Sequence, residues 1–176
     1  AVCGQGYVIT DNSGSIFVYM GSSFDAKSQA VGNQVKVNGT IGAYNKGFQV
    51  TGASAEVEIV GTQAVTYPAA KSYTDAEWDQ LITRTENELA VYATIKGKVT
   101  VTERNINVKP EGTEKAQGSV YGITDVLRGL FTNDGEASIT GNYIAIAAGR
   151  FCNFVVTAVN GKTVTAAPRR HNAPAV

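Results

Sequence analysis

The sequence predicts a mainly all-β chain built from two tandem five-stranded modules joined by one short α-helix. A motif of alternating residues at positions 32–39 recurs at positions 141–149. In both copies a short apolar strand precedes the motif and a long one follows it. Internal repetition of this kind indicates two related domains. Apolar residues make up 43% of the 176 residues, charged residues 17%, and there are 19 glycines, a composition typical of a folded, turn-rich protein.

The first module is predicted over residues 1–66 and begins with a β-hairpin. Four strands are predicted there: residues 7–10, 16–20, 34–43 and 48–60. Between the first two strands, Asp11 favours a turn and Gly14 can supply a positive φ. The last two strands are joined by a turn that ends at Gly47.

Residues 67–88 are predicted to link the modules through a helix. Thr74 and Glu77 have the spacing of a capping box, in which each side chain bonds the other's backbone amide. Three apolar residues then recur at helical spacing and form one stripe: Trp78, Leu81 and Ile82. We expect Trp78 to pack between the two modules and to hold them in a fixed relation.

The second module is predicted over residues 89–165, followed by a polar tail at residues 166–176. Its five strands are predicted at residues 89–101, 105–109, 119–123, 143–148 and 151–159. Gly97 indicates a bend or bulge in the first of them. A short helix capped by Thr124 is predicted in residues 124–133, with four apolar residues facing inward: Val126, Leu127, Leu130 and Phe131.

Five strands per module, a glycine-bent first strand, an insertion after the third strand and a closing glycine-bounded hairpin resemble the Greek-key barrel of the OB-fold. The run GYVITDNSGSIFVY at residues 6–19, followed by VGNQVKVNG at residues 31–39, is similar to a family of nucleic-acid-binding-like OB modules. These modules occur as tandem pairs of unknown function in secreted and lipid-anchored bacterial envelope proteins. The resemblance implies an exported protein of the cell envelope, in the periplasm or at the cell surface.

The chain departs from this family pattern at two places. Most of the first strand of the first module is missing before Ala1, which indicates either a shortened chain or a strand supplied from elsewhere. We therefore expect residue 1 not to be the native start, and an export signal or a lipid anchor could lie upstream. In the second module a longer polar loop at residues 110–118 replaces the turn aspartate, so a ligand site shared by both modules is in doubt.

Aromatic and basic residues in the strands are the candidate ligand-binding residues. An OB sheet that binds single strands presents aromatic rings to the bases and Lys or Arg to the phosphates. The candidates are Tyr19, Tyr44, Tyr92, Tyr121, Tyr143, Lys96, Lys98 and Arg150. The alternative at each aromatic position is packing in a core or across strands.

The charge balance argues against tight nucleic-acid binding. Fifteen basic and fifteen acidic residues cancel, with net charges of −1 over residues 1–66, −3 over residues 67–88 and +4 over residues 89–176. Domains that bind nucleic acid tightly carry a larger excess of Lys and Arg than this chain does. We therefore predict a non-enzymatic recognition or structural module whose partner is an oligosaccharide, a peptide or a protein. Sequence-tolerant binding of single-stranded nucleic acid is the alternative.

No enzyme, cofactor or metal site is predicted. The sequence contains no Gly-x-Ser-x-Gly motif, and its single histidine, His171, lies in the tail, so a serine or cysteine triad lacks a placed base. A zinc site needs about four ligands, which the chain does not offer. Cys3 and Cys152 are the only cysteines. Burial of Cys152 as a free thiol is the simpler interpretation, and a disulfide between the two residues is the alternative.

Overall fold

The computed structural model describes residues 1–52 and 57–164, about half of which lie in strands. The strands are β1 (Val2–Cys3), β2 (Gly6–Asp11), β3 (Gly14–Tyr19), β4 (Asn33–Val37), β5 (Thr40–Tyr44), β6 (Gly47–Thr51), β7 (Val57–Thr62), β8 (Lys71–Ser72), β9 (Val91–Val101), β10 (Ile106–Lys109), β11 (Gln117–Val120), β12 (Glu136–Ala147), β13 (Phe151–Val159) and β14 (Lys162–Thr163). Two α-helices are described, α1 (Asp75–Leu81) and α2 (Asp125–Arg128). The tail prediction for residues 166–176 lies outside the described residues.

Five strands of the C-terminal half close into a barrel, called here the C-terminal barrel. Their order around it is β9, β10, β11, β13 and β12, with β12 pairing back to β9. Neighbouring strands are antiparallel except β11 and β13, which are parallel. The interior holds the largest apolar cluster of the described residues, including Ile95, Ile139 and Phe154. This half therefore forms the predicted five-stranded barrel.

Gly97 lies where the first barrel strand, β9, changes its pairing partner. Residues 91–98 of β9 pair with β12, whereas residues 98–101 pair with β10. A Cβ atom at Gly97 would lie 2.1 Å from the backbone oxygen of Lys109, so no larger residue fits at this changeover. The predicted irregularity at Gly97 thus marks the place where β9 passes from one partner to the other.

The N-terminal half forms an open five-stranded sheet in the order β1, β2, β3, β6 and β5, called here the N-terminal sheet. Its β2–β3 hairpin is the one predicted. The two long strands expected after it are each divided, and their outer parts, β4 and β7, form a separate two-stranded ribbon. The ribbon covers one face of the sheet, where Val35, Val37 and Val57 pack against Tyr7, Val18 and Val50. The described strands of this half do not close into a barrel.

The two copies of the repeated motif lie in different structural places. The first copy forms β4 in the ribbon, whereas the second forms the end of β12 in the barrel wall. By connectivity, β5 and not β4 corresponds to the end of β12. Each of these two strands makes a hairpin with a strand that runs parallel to the third strand of its half. The two copies are therefore not structurally equivalent, although both contain apolar residues at alternate positions of a strand.

Helix α1 begins with the predicted capping box. The Thr74 backbone amide donates to the Glu77 carboxylate at 2.7 Å, and the Glu77 amide donates to the Thr74 hydroxyl at 3.2 Å. Trp78 is 2% exposed, and its ring lies against those of Tyr143 and Phe154 in the barrel core. The prediction that Trp78 packs between the two halves is therefore wrong. The apolar stripe of α1 faces the barrel core, which has no residue of the N-terminal sheet in it.

Two element boundaries in the C-terminal half differ from the prediction. Helix α2 spans only four residues, fewer than predicted. Leu127 is buried as predicted, but Val126 and Leu130, which were predicted to face inward, are nearly half exposed. Strand β12 begins at Glu136, seven residues earlier than expected. The outward residues at its start are polar, and without the paired strand β9 this stretch resembles a loop.

The two cysteines are free and buried in different apolar clusters. Cys3 lies between the two halves, and Cys152 lies in the barrel core. Burial raises the pKa of the Cys3 thiol to about 11 and that of Cys152 to about 12. Both thiols therefore stay protonated near neutral pH.

Asp79 ties helix α1 to the loop between β10 and β11. Its carboxylate accepts hydrogen bonds from the backbone amides of Glu114 at 2.7 Å, Lys115 at 3.0 Å and Ala116 at 2.9 Å. These hydrogen bonds, led by that of Ala116, hold the pKa of Asp79 below its usual value of 3.8. The helix is thus positioned by an acceptor that is stronger when it is ionised.

Replacing Asp79 with asparagine should lower the free energy of unfolding by about 1 kcal/mol at neutral pH, because a charged acceptor is lost from a partly hydrated site. Because folding lowers the pKa of Asp79, the ionised carboxylate contributes its full stabilisation above pH 3.8, the usual pKa of the group. This contribution is lost as the pH falls through the pKa of Asp79 in the folded protein. Urea denaturation of both proteins at pH 7 and at about pH 3 should therefore give a smaller difference in stability in acid than at neutral pH. An unchanged difference would show that ionisation of Asp79 is not what stabilises the contact.

Candidate ligand-binding site

An apolar contact joins the N-terminal sheet to the C-terminal barrel. Six buried residues form it: Cys3, Val8 and Phe17 from the sheet, and Ile144, Ala145 and Val155 from the barrel. Backbone hydrogen bonds cross the contact as well, from Gly4 N to Gly122 O at 2.7 Å and from Ile146 N to Asn45 O at 2.7 Å. The two halves are therefore held together by packing and by backbone hydrogen bonds.

Arg84, in the segment after α1, reinforces this contact. Its guanidinium donates to the backbone oxygen of Lys46 at 2.6 Å, to the Tyr143 hydroxyl at 2.9 Å and to the Glu88 carboxylate at 3.0 Å. It also lies 5.1 Å from the centre of the Tyr143 ring, within cation–π range. One side chain thus bridges the sheet, the linker and the barrel.

A shallow cleft opens along the contact, called here the tyrosine cleft. Its lining residues are Phe17, Tyr44, Gly47, Phe48, Gln49, Tyr121, Ile144, Ala145 and Asn153. The enclosed part has a volume of about 10 Å³, the size of about one water molecule. A larger ligand would therefore lie across the cleft and not inside it. None of the nine lining residues is charged.

Two of the predicted tyrosines, Tyr44 and Tyr121, line the tyrosine cleft, and a third, Tyr19, lies near Tyr121. Tyr44 is 53% exposed and Tyr19 is 36% exposed, so both rings are accessible. Tyr121 is half-buried, stands edge-on to Phe17 and donates its hydroxyl hydrogen to Gln5 Oε1 at 3.1 Å. Burial raises the pKa of Tyr121, and Tyr19 and Tyr44 are near enough to raise it further. Tyr19 is the last residue of β3, Tyr44 is the last residue of β5, and Tyr121 directly follows β11.

Two amide side chains supply the polar groups of the tyrosine cleft. Gln49 lies on β6 and Asn153 on β13, so each half contributes one. Asn153 is only 7% exposed. Neither amide side chain makes a hydrogen bond within residues 1–52 and 57–164. Each amide offers two N–H donors and one oxygen acceptor, which water or a ligand in the cleft can bond.

Three predicted site residues lie instead on the outward face of β9. Tyr92 stacks on Tyr67 with ring centres 5.1 Å apart, and its hydroxyl bonds that of Thr157 at 2.8 Å. Lys96 is exposed, while Lys98 pairs with Asp134 at 3.5 Å. The Tyr92 ring is therefore occupied by internal contacts. The predicted site on β9 thus keeps its two lysines but has no accessible aromatic ring from the predicted set.

The last two predicted site residues, Tyr143 and Arg150, lie neither in the tyrosine cleft nor on the outward face of β9. Tyr143 is 2% exposed and belongs to the barrel core, so it offers no ring face to a ligand. Arg150 is exposed in the turn between β12 and β13, with its guanidinium 5.9 Å from the centre of the Phe151 ring. The predicted residues therefore divide among the cleft, the β9 face, the core and this turn.

Sequence reasoning missed Gln49 and Asn153. A signal existed for Asn153, because it interrupts the apolar strand FCNFVV, where a polar side chain needs a partner. No comparable signal marks Gln49, which alternates normally along β6. Only the docking of the two halves places the two amides in one cleft.

Within the described ranges, no three His, Cys, Asp or Glu side chains are grouped so as to hold a metal ion. Neither helix described has the length and apolar character needed to cross a membrane. In comparisons with protein-family models, curated protein sequences and solved structures, none matches the chain.

Proposed function

We propose that this chain is a non-enzymatic recognition module that binds an uncharged oligosaccharide across the tyrosine cleft. The observation that carries the proposal is the amide of Asn153, which makes no hydrogen bond within residues 1–52 and 57–164 and lines the cleft with Tyr44 and Tyr121. Sugar rings present apolar C–H faces to aromatic side chains and hydroxyl groups to amides. Sites with apolar walls and a few fixed polar groups are typical for small ligands.

The absence of charge in the cleft favours a neutral glycan over an anionic ligand. Phosphate recognition depends on Lys or Arg, and none lines the cleft. Tyrosine side chains have few rotatable bonds, so they lose little conformational entropy when a ligand binds. An elongated sugar chain resting on Tyr19 and Tyr44 fits a surface too shallow to enclose a compact ligand.

We also propose that the C-terminal barrel is an OB-fold. Its strand order, the parallel pairing of its third and fifth strands and the short helix α2 before its fourth strand support this. The N-terminal sheet follows the same order with a first strand of only two residues, so we regard it as an incomplete copy. OB sheets are used for oligosaccharides as well as oligonucleotides, which is consistent with an envelope protein that recognises glycans.

Calorimetric titration with neutral hexasaccharides of glucose, mannose and xylose tests this function. We expect one of them to bind, and Tyr44→Ala to weaken its binding by about tenfold because the exposed ring is lost. Leu130→Ala removes a similarly exposed apolar side chain outside the cleft and should leave binding unchanged. Equal effects of the two variants, or no binding by any of the three sugars, would count against the proposal.

Single-stranded nucleic acid is the second candidate, because Lys96 and Lys98 follow one side of β9 and Lys96 is exposed. Fluorescence anisotropy with a labelled mixed-sequence oligonucleotide separates the two functions. Binding that weakens steeply between low and physiological salt would favour nucleic acid, since phosphate contacts release counterions. No binding at low salt would remove this candidate.

A further inference from the structure

Two Asn-Gly pairs occur in the chain, at residues 38–39 and 160–161. Asparagine deamidates most easily before glycine, because glycine has no Cβ atom to hinder its own backbone nitrogen. That nitrogen attacks the side-chain amide carbon of the asparagine. Since the two pairs share this local chemistry, only their structural surroundings can make them react at different rates in the folded protein.

Asn38 lies in the connection between β4 of the ribbon and β5 of the N-terminal sheet. Strand β4 ends at Val37 and β5 begins at Thr40, so the pairings of both strands leave out Asn38 and Gly39. Both residues are exposed. The Asn38 side chain makes no hydrogen bond within the part of the chain that the structure describes. Its amide carbon and the Gly39 nitrogen can therefore approach each other without breaking a described contact.

Asn160 is also exposed, but it is held in a tight turn. Val159 pairs with Lys162, and both Asn160 and Gly161 have positive φ, as a two-residue hairpin turn requires. The Asn160 side-chain oxygen accepts a hydrogen bond from the Ser138 amide at 2.9 Å, and the Asn160 amide donates to the Ser138 oxygen at 2.9 Å. Cyclisation at Asn160 would therefore have to break the side-chain hydrogen bond and deform the hairpin.

We propose that Asn38 is a site of spontaneous deamidation in the folded protein and that the fold protects Asn160. In the first step the Gly39 nitrogen loses its proton and forms a bond to the side-chain carbon of Asn38, and the amide nitrogen leaves as ammonia. Water then opens the cyclic succinimide at either carbonyl group. The products are aspartate and isoaspartate. The reaction consumes one water and releases one ammonia, and it needs no oxidant, reductant or enzyme.

Deamidation changes both the charge and the backbone of this connection. Fifteen basic and fifteen acidic residues become fifteen and sixteen, so the formal net charge falls from 0 to −1. Isoaspartate also carries the main chain through its side-chain carbon, which adds one backbone atom between β4 and β5. Because Val35 and Val37 of β4 pack on the N-terminal sheet, this atom is added where the ribbon joins the sheet that it covers.

Peptide mapping of the native protein during prolonged incubation in mildly alkaline buffer tests this proposal. Trypsin releases Asn38 in the peptide VNGTIGAYNK and Asn160 in the peptide FCNFVVTAVNGK, and fragmentation in the mass spectrometer assigns the added mass to one asparagine. We expect Asn38 to deamidate about tenfold faster than Asn160 or more. In guanidinium chloride, which unfolds both surroundings, the two rates should agree within a factor of about three.

Two matched variants check the assignment by ion exchange, which separates the protein that has gained a charge. Asn38→Gln should abolish the new peak, because glutamine would have to form a larger ring, and Asn160→Gln should leave it unchanged. Equal rates at the two asparagines in the native protein, or a faster reaction at Asn160, would overturn the proposal. Native protein that stays unmodified at Asn38 while the denatured protein reacts would also overturn it, since the fold would then protect Asn38.

Discussion

Trp78→Ala should reduce the free energy of unfolding by about 3–5 kcal/mol, the range for large-to-small changes of buried aromatic residues. The Trp78 ring is 2% exposed and lies within 4.8 Å of Tyr73, 6.1 Å of Tyr143 and 6.2 Å of Phe154, measured between ring centres. Truncation leaves a cavity in the barrel core, because Tyr143 and Phe154 lie on paired barrel strands that cannot move freely to fill it. The expected loss is therefore mainly one of packing.

Urea denaturation followed by circular dichroism measures this loss. Leu89→Ala is a suitable control, since Leu89 is 42% exposed and its truncation should cost less than about 1 kcal/mol. Trp78→Phe should fall between wild type and Trp78→Ala because part of the ring volume is kept. A loss below about 1 kcal/mol for Trp78→Ala would show that the indole is not a packing element.

Gly47→Ala should weaken the contact between the sheet and the barrel by about 2–3 kcal/mol. A Cβ atom at Gly47 would lie 1.8 Å from the backbone oxygen of Ile144 in the barrel, so the backbone of one half must move. The neighbouring hydrogen bonds from Phe48 N to Glu88 O and from Ile146 N to Asn45 O depend on the same close approach. We expect them to lengthen together.

Thermal unfolding followed by calorimetry tests the role of Gly47. The variant should lose stability, and a first transition at lower temperature should appear if the sheet undocks before the barrel melts. Gly129→Ala is the control, because the nearest atom to its added Cβ is 3.7 Å away and its φ of −70° suits alanine. A variant as stable as wild type would mean that the contact tolerates backbone displacement at this point.

Local signals in the sequence predicted several elements correctly. The turn residues before Gly14 identified the β2–β3 hairpin, and the spacing of Thr74 and Glu77 identified the start of α1. Gly97 was recognised as a special position in β9. In each case the physical cause lies within a few neighbouring residues, such as a positive φ or a capping hydrogen bond.

Features that depend on distant pairing could not be predicted in the same way. Trp78 was expected between the two halves because an apolar stripe shows that a helix face is buried but not against what. The start of β12 was missed because its outward residues are polar and only β9 makes them part of a sheet. The division of the long hairpin into β5–β6 and β4–β7 likewise follows from tertiary packing.

The candidate site was predictable only in part for the same reason. Tyr19, Tyr44 and Tyr121 were selected as strand aromatics, and the structure places Tyr44 and Tyr121 in one cleft with Tyr19 near Tyr121. Tyr143 was selected by the same rule and lies in the core. Residue type cannot separate these outcomes, because strand aromatics serve cores and surfaces alike. Asn153 and Gln49 gain their significance only when the two halves dock.

The most direct test of the account follows the side-chain amide signals of Gln49 and Asn153 in ¹⁵N-labelled protein during titration with the hexasaccharide that binds best. We predict that both signals shift saturably with one dissociation constant, while the backbone signals of Lys96 and Lys98 stay in place. Tyr44→Ala should reduce the shifts at equal sugar concentration. Shifts that occur on the β9 face and spare Asn153 would contradict the claim that the tyrosine cleft is the recognition site.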